Sequence, residues 1–263
     1  MQTRRISQQS FVGTLSLLFA SSSVATVVLC RSMSNMGYMQ MPGGWTMSGV
    51  WMLMPNQTWF GAAVSFLLMW TIMMVAMMLP SLAPMLGQYR NLAAGAGQNR
   101  LGGLTTVVGA GYFFVWAAIG LAVFALGVAL SEVEMQRPDL SRYVPVAVGI
   151  MVLVIGALQF TPWKAHSLAC CRETPAGTLA LTANAATAWR HGLRLGLQCV
   201  SCCFGLMMIL IVIGVMDLSL MAVLTVAITA ERLASNGIHV ARGIGCVTVA
   251  AGLYLIAKAA GFC

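Results

Sequence analysis

Charge is what this chain has least of. Only 8 % of its 263 residues are Asp, Glu, Lys or Arg, and 6 of them are acidic. A soluble globular domain carries roughly 25 % charged residues to cover its surface, so a water-soluble globule is excluded. Disorder is excluded as well, because it needs low hydrophobicity; here 59 % of residues are hydrophobic and mean hydropathy is +0.87. Histidine is scarce: His166, His191 and His239 stand apart in polar connections, too few for several haems held by histidine pairs. The Gly-rich lysine loop for phosphate, the zinc-protease His-Glu-x-x-His and Gly-x-Ser-x-Gly are all missing. No carboxylate stands mid-way along an apolar run, where a proton-relaying transporter would place one. The chain does not read as a conventional enzyme. Its 14 basic residues give a net charge of +8 but are scattered and form no basic run, so nucleic acid is not an expected partner.

What is abundant is apolar sequence in blocks long enough to cross about 30 Å of hydrocarbon as a helix. Seven spans are expected: Phe11–Cys30, Trp59–Leu79 (stopped by Pro80 and Pro84), Thr105–Leu130, Tyr143–Phe160, Gly196–Met216, Leu218–Ala230 and Gly243–Ala259. The sixth is short and ends on Glu231-Arg232, so it is expected to tilt, pack internally or form a hairpin with the fifth. No small-x-small cleavage site follows the first span, which reads as an uncleaved anchor. The fold class is therefore all-α, a polytopic transmembrane bundle of six or seven spans. Residues 1–58 form an anchor helix and a Met-rich outer segment, and residues 59–263 a six-helix membrane domain carrying the cysteine motifs. Ten basic residues fall in segments that are cytoplasmic if the N-terminus is inside, against four in outer segments. That asymmetry places the N-terminus in the cytoplasm.

Sulfur is the second abundance, with 20 Met and 8 Cys. Cys199, Cys202 and Cys203 open the fifth span as Cys-x-x-Cys-Cys, and helical neighbours three and four apart share a face. His166-x-x-x-Cys170-Cys171 directly follows the fourth span. Thiolate and thioether ligands select Cu(I) and related soft ions. Seven methionines, Met33, Met36, Met39, Met41, Met47, Met52 and Met54, lie in the outer segment, where core packing does not explain them. A second set, Met69, Met73, Met74, Met77, Met78 and Met85, forms stripes on the second span, a pattern that flexible core filling produces more often than a metal path. Cys30, Cys246 and Cys263 read as structural or incidental.

Three strings resemble a known family. They are Met73-Met-Val-Ala-Met-Met-Leu-Pro-Ser81, Gln159-Phe-Thr-Pro-Trp-Lys164 followed by Cys170-x-Arg172-x-x-Pro175, and a third block. That block joins Cys199-x-x-Cys202-Cys203 to Gly214-Val-Met-Asp-Leu218 and Ala230-Glu-Arg232. The chain resembles the bacterial predicted metal-binding integral membrane proteins, a domain of unknown function often labelled a copper chaperone. The resemblance covers roughly residues 59–260. It implies a multi-pass protein of the bacterial cytoplasmic membrane with a metal site at Cys170, Cys199, Cys202 and Cys203. Leu168 alters the spacing of the second motif, Asp217 stands where an amide is common, and Arg232 stands where lysine is common.

The residues leave three functions open. One is a membrane protein that binds or passes on Cu(I) or another soft metal. Cys199, Cys202 and Cys203 would hold the ion, Cys170, Cys171 or His166 would complete the site, and Glu231 or Arg232 would support the ligands. Another is a thiol–disulfide oxidoreductase cycling Cys199 and Cys202. The last is an accessory subunit of a larger membrane complex, or a homo-oligomer, whose small residues permit close helix contact. The lipid bilayer is a partner in every case.

Overall fold

The structure, a computed structural model, describes the backbone of residues 2–34, 38–41, 45–48, 58–95, 101–136, 142–172 and 184–261. Side chains are described for 8–32, 58–94, 101–136, 142–171 and 184–261. Among these residues the fold is all-α, with eight helices: α1 (Gln2–Ser34), α2 (Trp59–Gly95), α3 (Leu101–Gln136), α4 (Val144–Leu158), α5 (Pro162–Arg172), α6 (Ala185–Ile213), α7 (Leu218–Leu233) and α8 (Gly237–Ala259). A short antiparallel hairpin, β1 (Tyr38–Met41) and β2 (Trp45–Ser48), adds to the expected helical plan, with Met39 opposite Met47. The side chains of the seven outer methionines lie outside the described residues.

Five helices, α1, α2, α3, α6 and α8, are long and apolar enough to cross a membrane. Large apolar side chains such as Leu17, Phe60, Val226 and Val247 are exposed on the outside of the bundle. In water these would be an unmanaged apolar surface; against acyl chains they are at home. The helices α4 and α5 together qualify as a sixth span, but they are bent by 68° at the break. Pro162 sits at the first position of α5, where its missing N–H costs nothing. The helix α7 has 16 residues. At 1.5 Å per residue it is roughly 24 Å long, too short to cross alone. Asp217 caps it, its carboxylate accepting from the backbone N–H of Ser219 and Leu220.

One expectation is corrected. Pro80 and Pro84 do not stop α2, which continues through both to Gly95. Proline removes a backbone donor and normally breaks a helix. Inside a membrane bundle, neighbouring helices and hydroxyl side chains re-satisfy the freed groups. Between the two prolines Ser81 Oγ donates to the carbonyl of Met78 at 3.0 Å, adding a side-chain bond to this stretch, although the carbonyls the prolines free are those of Ala76 and Pro80.

Hydrophobic burial does not drive helices together in lipid, so close backbone approach matters more than in water. The tightest contact joins α3 and α6. A Cβ on Gly192 would overlap the carbonyl of Val108, and one on Gly111 would come within 2.8 Å of the carbonyl of Trp189. One turn further on, a Cβ on Gly196 would lie 2.9 Å from Val115. The two backbones touch along this seam, and that contact sets the position of the next turn of α6.

Candidate metal centre

The face of α6 turned to α3 runs Gly192, Gly196, Cys199, Cys203, stepping four, three and four residues. The glycines seat α3, and the thiols come next in line. Tyr112 of α3 therefore reaches Cys199, its Oη donating to Sγ at 2.9 Å. Cys203 Sγ lies 4.0 Å from Cys199 Sγ, and Met78 Sδ of α2 lies 3.9 Å from it. Arg232, at the end of α7, completes the surroundings. Its Nη1 donates to Cys199 Sγ at 3.2 Å and to Ser81 Oγ at 3.0 Å, and its Nη2 donates to Met85 Sδ at 3.1 Å. Met78, Tyr112, Cys199 and Cys203 are each 0 % exposed.

Cys202 points elsewhere. Consecutive helical residues diverge by about 100°, so Cys202 leaves the face shared by Cys199 and Cys203 and packs against Cys171 and Leu168 of α5. Cys171 Sγ donates to the carbonyl of Gln198 at 2.8 Å. Here too lies a buried ion pair, Lys164 Nζ to Glu231 Oε2 at 2.7 Å. Lys164 also donates to the carbonyl of Cys202 at 2.7 Å, and Gln159 Nε2 to Glu231 Oε1 at 3.3 Å. The network ties the α4–α5 break to α6 and α7. Cys170 faces away from it, 3.5 Å from His166 Nε2 on the more exposed side of α5.

The six ligand candidates thus fall into three pairs: Cys199 with Cys203, Cys202 with Cys171, and Cys170 with His166. Among the described residues no three His, Cys, Asp or Glu side chains converge as a metal-holding group. The third soft donor beside Cys199 is Met78, a residue whose place in a stripe points to packing. Tyr112, Ser81 and Lys164 carry no mark in the sequence as neighbours of the thiols. The available signal was that the three family-like strings meet here: Met78 and Ser81 from the first, Gln159 and Lys164 from the second, and the cysteines with Glu231 and Arg232 from the third.

The charges are unequal. Lys164 and Glu231 neutralise each other, whereas Arg232 has no carboxylate partner among the described residues, where its Nε also lacks an acceptor. A buried cation is costly unless an anion answers it, and the groups Arg232 does touch are sulfur and hydroxyl. A cavity of about 320 Å³, lined by Ser81, Pro84, Met85, Gln88, Arg232 and Leu233, opens beside the guanidinium. Arg232 therefore stands between that cavity and Cys199.

Fold and site together define an all-α protein with membrane-length helices and a buried sulfur cluster at its centre. The family model described as a copper chaperone matches residues 67–255, and the chain belongs to that family. No curated protein and no solved structure matches it.

Proposed function

We propose that the protein binds a soft metal ion, Cu(I), within the membrane as cargo and hands it on. The observation that carries this reading is the Cys199–Cys203 pair, two fully buried thiols 4.0 Å apart with a thioether beside them. Such donors suit a soft ion of low coordination number. The copper chaperone description of the family supports the same cargo. On this reading Cys171 with Cys202, and Cys170 with His166, are further positions at which the ion is received or released, and Lys164 and Glu231 hold α5 and α7 around them.

The protein would lie in the bacterial cytoplasmic membrane with its N-terminus inside, in about seven segments when α7 and the bent α4–α5 pair are each counted. Two cations of the ten that favour this orientation, Lys164 and Arg232, are buried in the bundle. Setting them aside leaves eight against four, so the bias keeps its sign.

Purified in detergent under anaerobic reducing conditions and supplied with Cu(I), the full chain is expected to retain about one copper per molecule by elemental analysis. The double variant Cys199→Ser/Cys203→Ser should lose it. Cys246→Ser, at an exposed thiol on α8, should not. Copper retained by the double variant would overturn the assignment. In a chain that binds no copper, a reversible disulfide of Cys199, with Cys203 in place of the Cys202 that the sequence suggests, would favour the oxidoreductase.

A further inference from the structure

Resting on the copper reading, we propose that Met78, Cys199 and Cys203 form a three-sulfur site selective for a monovalent soft cation, with Arg232 supplying the counter-charge. Two observations carry this, one geometric and one electrostatic.

The two sulfur–sulfur edges that meet at Cys199 have the length a trigonal ion requires. Metal–sulfur bonds of about 2.3 Å at 120° require sulfurs about 4.0 Å apart. The two measured separations from Cys199 Sγ are 3.9 Å to Met78 and 4.0 Å to Cys203. All three side chains are 0 % exposed, so an ion among them would be shielded from water. Tyr112 and Arg232 donate to the Cys199 sulfur at 2.9 and 3.2 Å, which orients it as a ligand while leaving the lone pair toward Cys203 and Met78 for the metal.

The electrostatics choose the charge of the ion. Binding displaces the protons of both thiols, and two thiolates with a monovalent cation sum to −1. Met78 is neutral, and the Lys164–Glu231 pair is already balanced. Arg232, buried, touching Cys199 and without a carboxylate partner among the described residues, brings the loaded site to zero. A divalent ion with the same ligands would leave +1 in a low-dielectric interior, where uncompensated charge is heavily penalised. The guanidinium thus works against zinc-like ions while stabilising the copper state.

The test uses the full chain in detergent with Cu(I), Ag(I) as a redox-inert monovalent probe, and Cd(II) as a divalent one. X-ray absorption of the copper form should show three sulfur neighbours in the wild type and in Met77→Leu. In Met78→Leu, a near-isosteric change, it should show two, with affinity lower by about tenfold or more. Arg232→Met should lower the ratio of Ag(I) to Cd(II) affinity about tenfold or more, and Arg232→Lys should restore it. A wild type that binds no copper overturns the function and this inference together. A wild type whose copper depends on Cys199 and Cys203 overturns the inference alone if Met78→Leu keeps three sulfurs and full affinity. The charge-selection half falls if Arg232→Met folds and leaves the metal ratio unchanged.

Discussion

Glu231→Ala is expected to destabilise the bundle by about 3–5 kcal/mol, because it leaves Lys164 charged and unpaired inside the protein. Lys164 and Glu231 are 5 % and 1 % exposed, and their contact is 2.7 Å. Among the described residues, removing the carboxylate strands the ammonium with only the Cys202 carbonyl as acceptor and leaves the Gln159 amide without its acceptor at the same stroke. The double variant Lys164→Met/Glu231→Leu removes both charges with little change in volume, and replacing a buried pair in this way is often neutral. Thermal unfolding in mild detergent should therefore rank wild type and double variant close together, with the single variant far below. A single variant as stable as wild type would mean that the pair does not bridge α5 and α7 in the folded protein.

The second large effect is expected at Gly192. Its absent side chain lets the carbonyl of Val108 sit where a Cβ would be, and Gly111 presents its backbone to the same seam. Alanine there must drive α3 and α6 apart, at about 1–3 kcal/mol as for other overpacked sites. Leucine cannot be accommodated without opening the seam, and is expected to prevent stable assembly. The substitution should also reach the sulfur site, because the distance from Tyr112 to Cys199 depends on the same contact. The control is Gly109→Ala on α3, where a new methyl meets nothing within 4 Å; it should be neutral or slightly stabilising, since alanine is the better helix former. Unfolding midpoints in detergent, together with copper retention, separate these outcomes.

The apolar blocks that define α1, α2, α3, α6 and α8 were legible in the sequence, because a helix in lipid must be apolar over a known length. The ends of the helices were not. Hydropathy marks the part of a helix that sits in lipid, and α2 and α6 continue well beyond it, α2 through two prolines whose effect depends on partners from other helices. The cysteine cluster was legible as a local string but was misleading as a single site. Spacing of three and four puts residues on one side of a helix only to within a wide arc. Which of Cys202 and Cys203 joins Cys199 is decided by where α3 and α5 pack. Met78 shows the opposite difficulty: its stripe looks like core filling and is core filling, and only the position of α6 brings one of its sulfurs to a thiol. Arg232 and Lys164, which in sequence resemble loop cations that set orientation, are interior residues. A sequence count cannot separate a charge that faces the cytoplasm from one that a neighbouring helix has covered.

The prolines of α2 also bear on how fast a bound ion could leave. Pro80 and Pro84 deprive the carbonyls of Ala76 and Pro80 of their helical amides. The wall carrying Met78, Ser81 and Met85 is therefore more compliant than the glycine-locked pair α3–α6, which carries Tyr112 and both thiols. An ion held across this divide has two strong anionic donors on the stiff side and one weak neutral donor on the soft side. Its ligands would come off in a set order, the thioether first as α2 flexes, leaving an ion held by the two thiolates with one ligand position free. An incoming donor can bind that intermediate before either thiolate lets go. Exchange through such a step would be rapid even where equilibrium affinity is high, and that combination lets a tight site still give up its cargo.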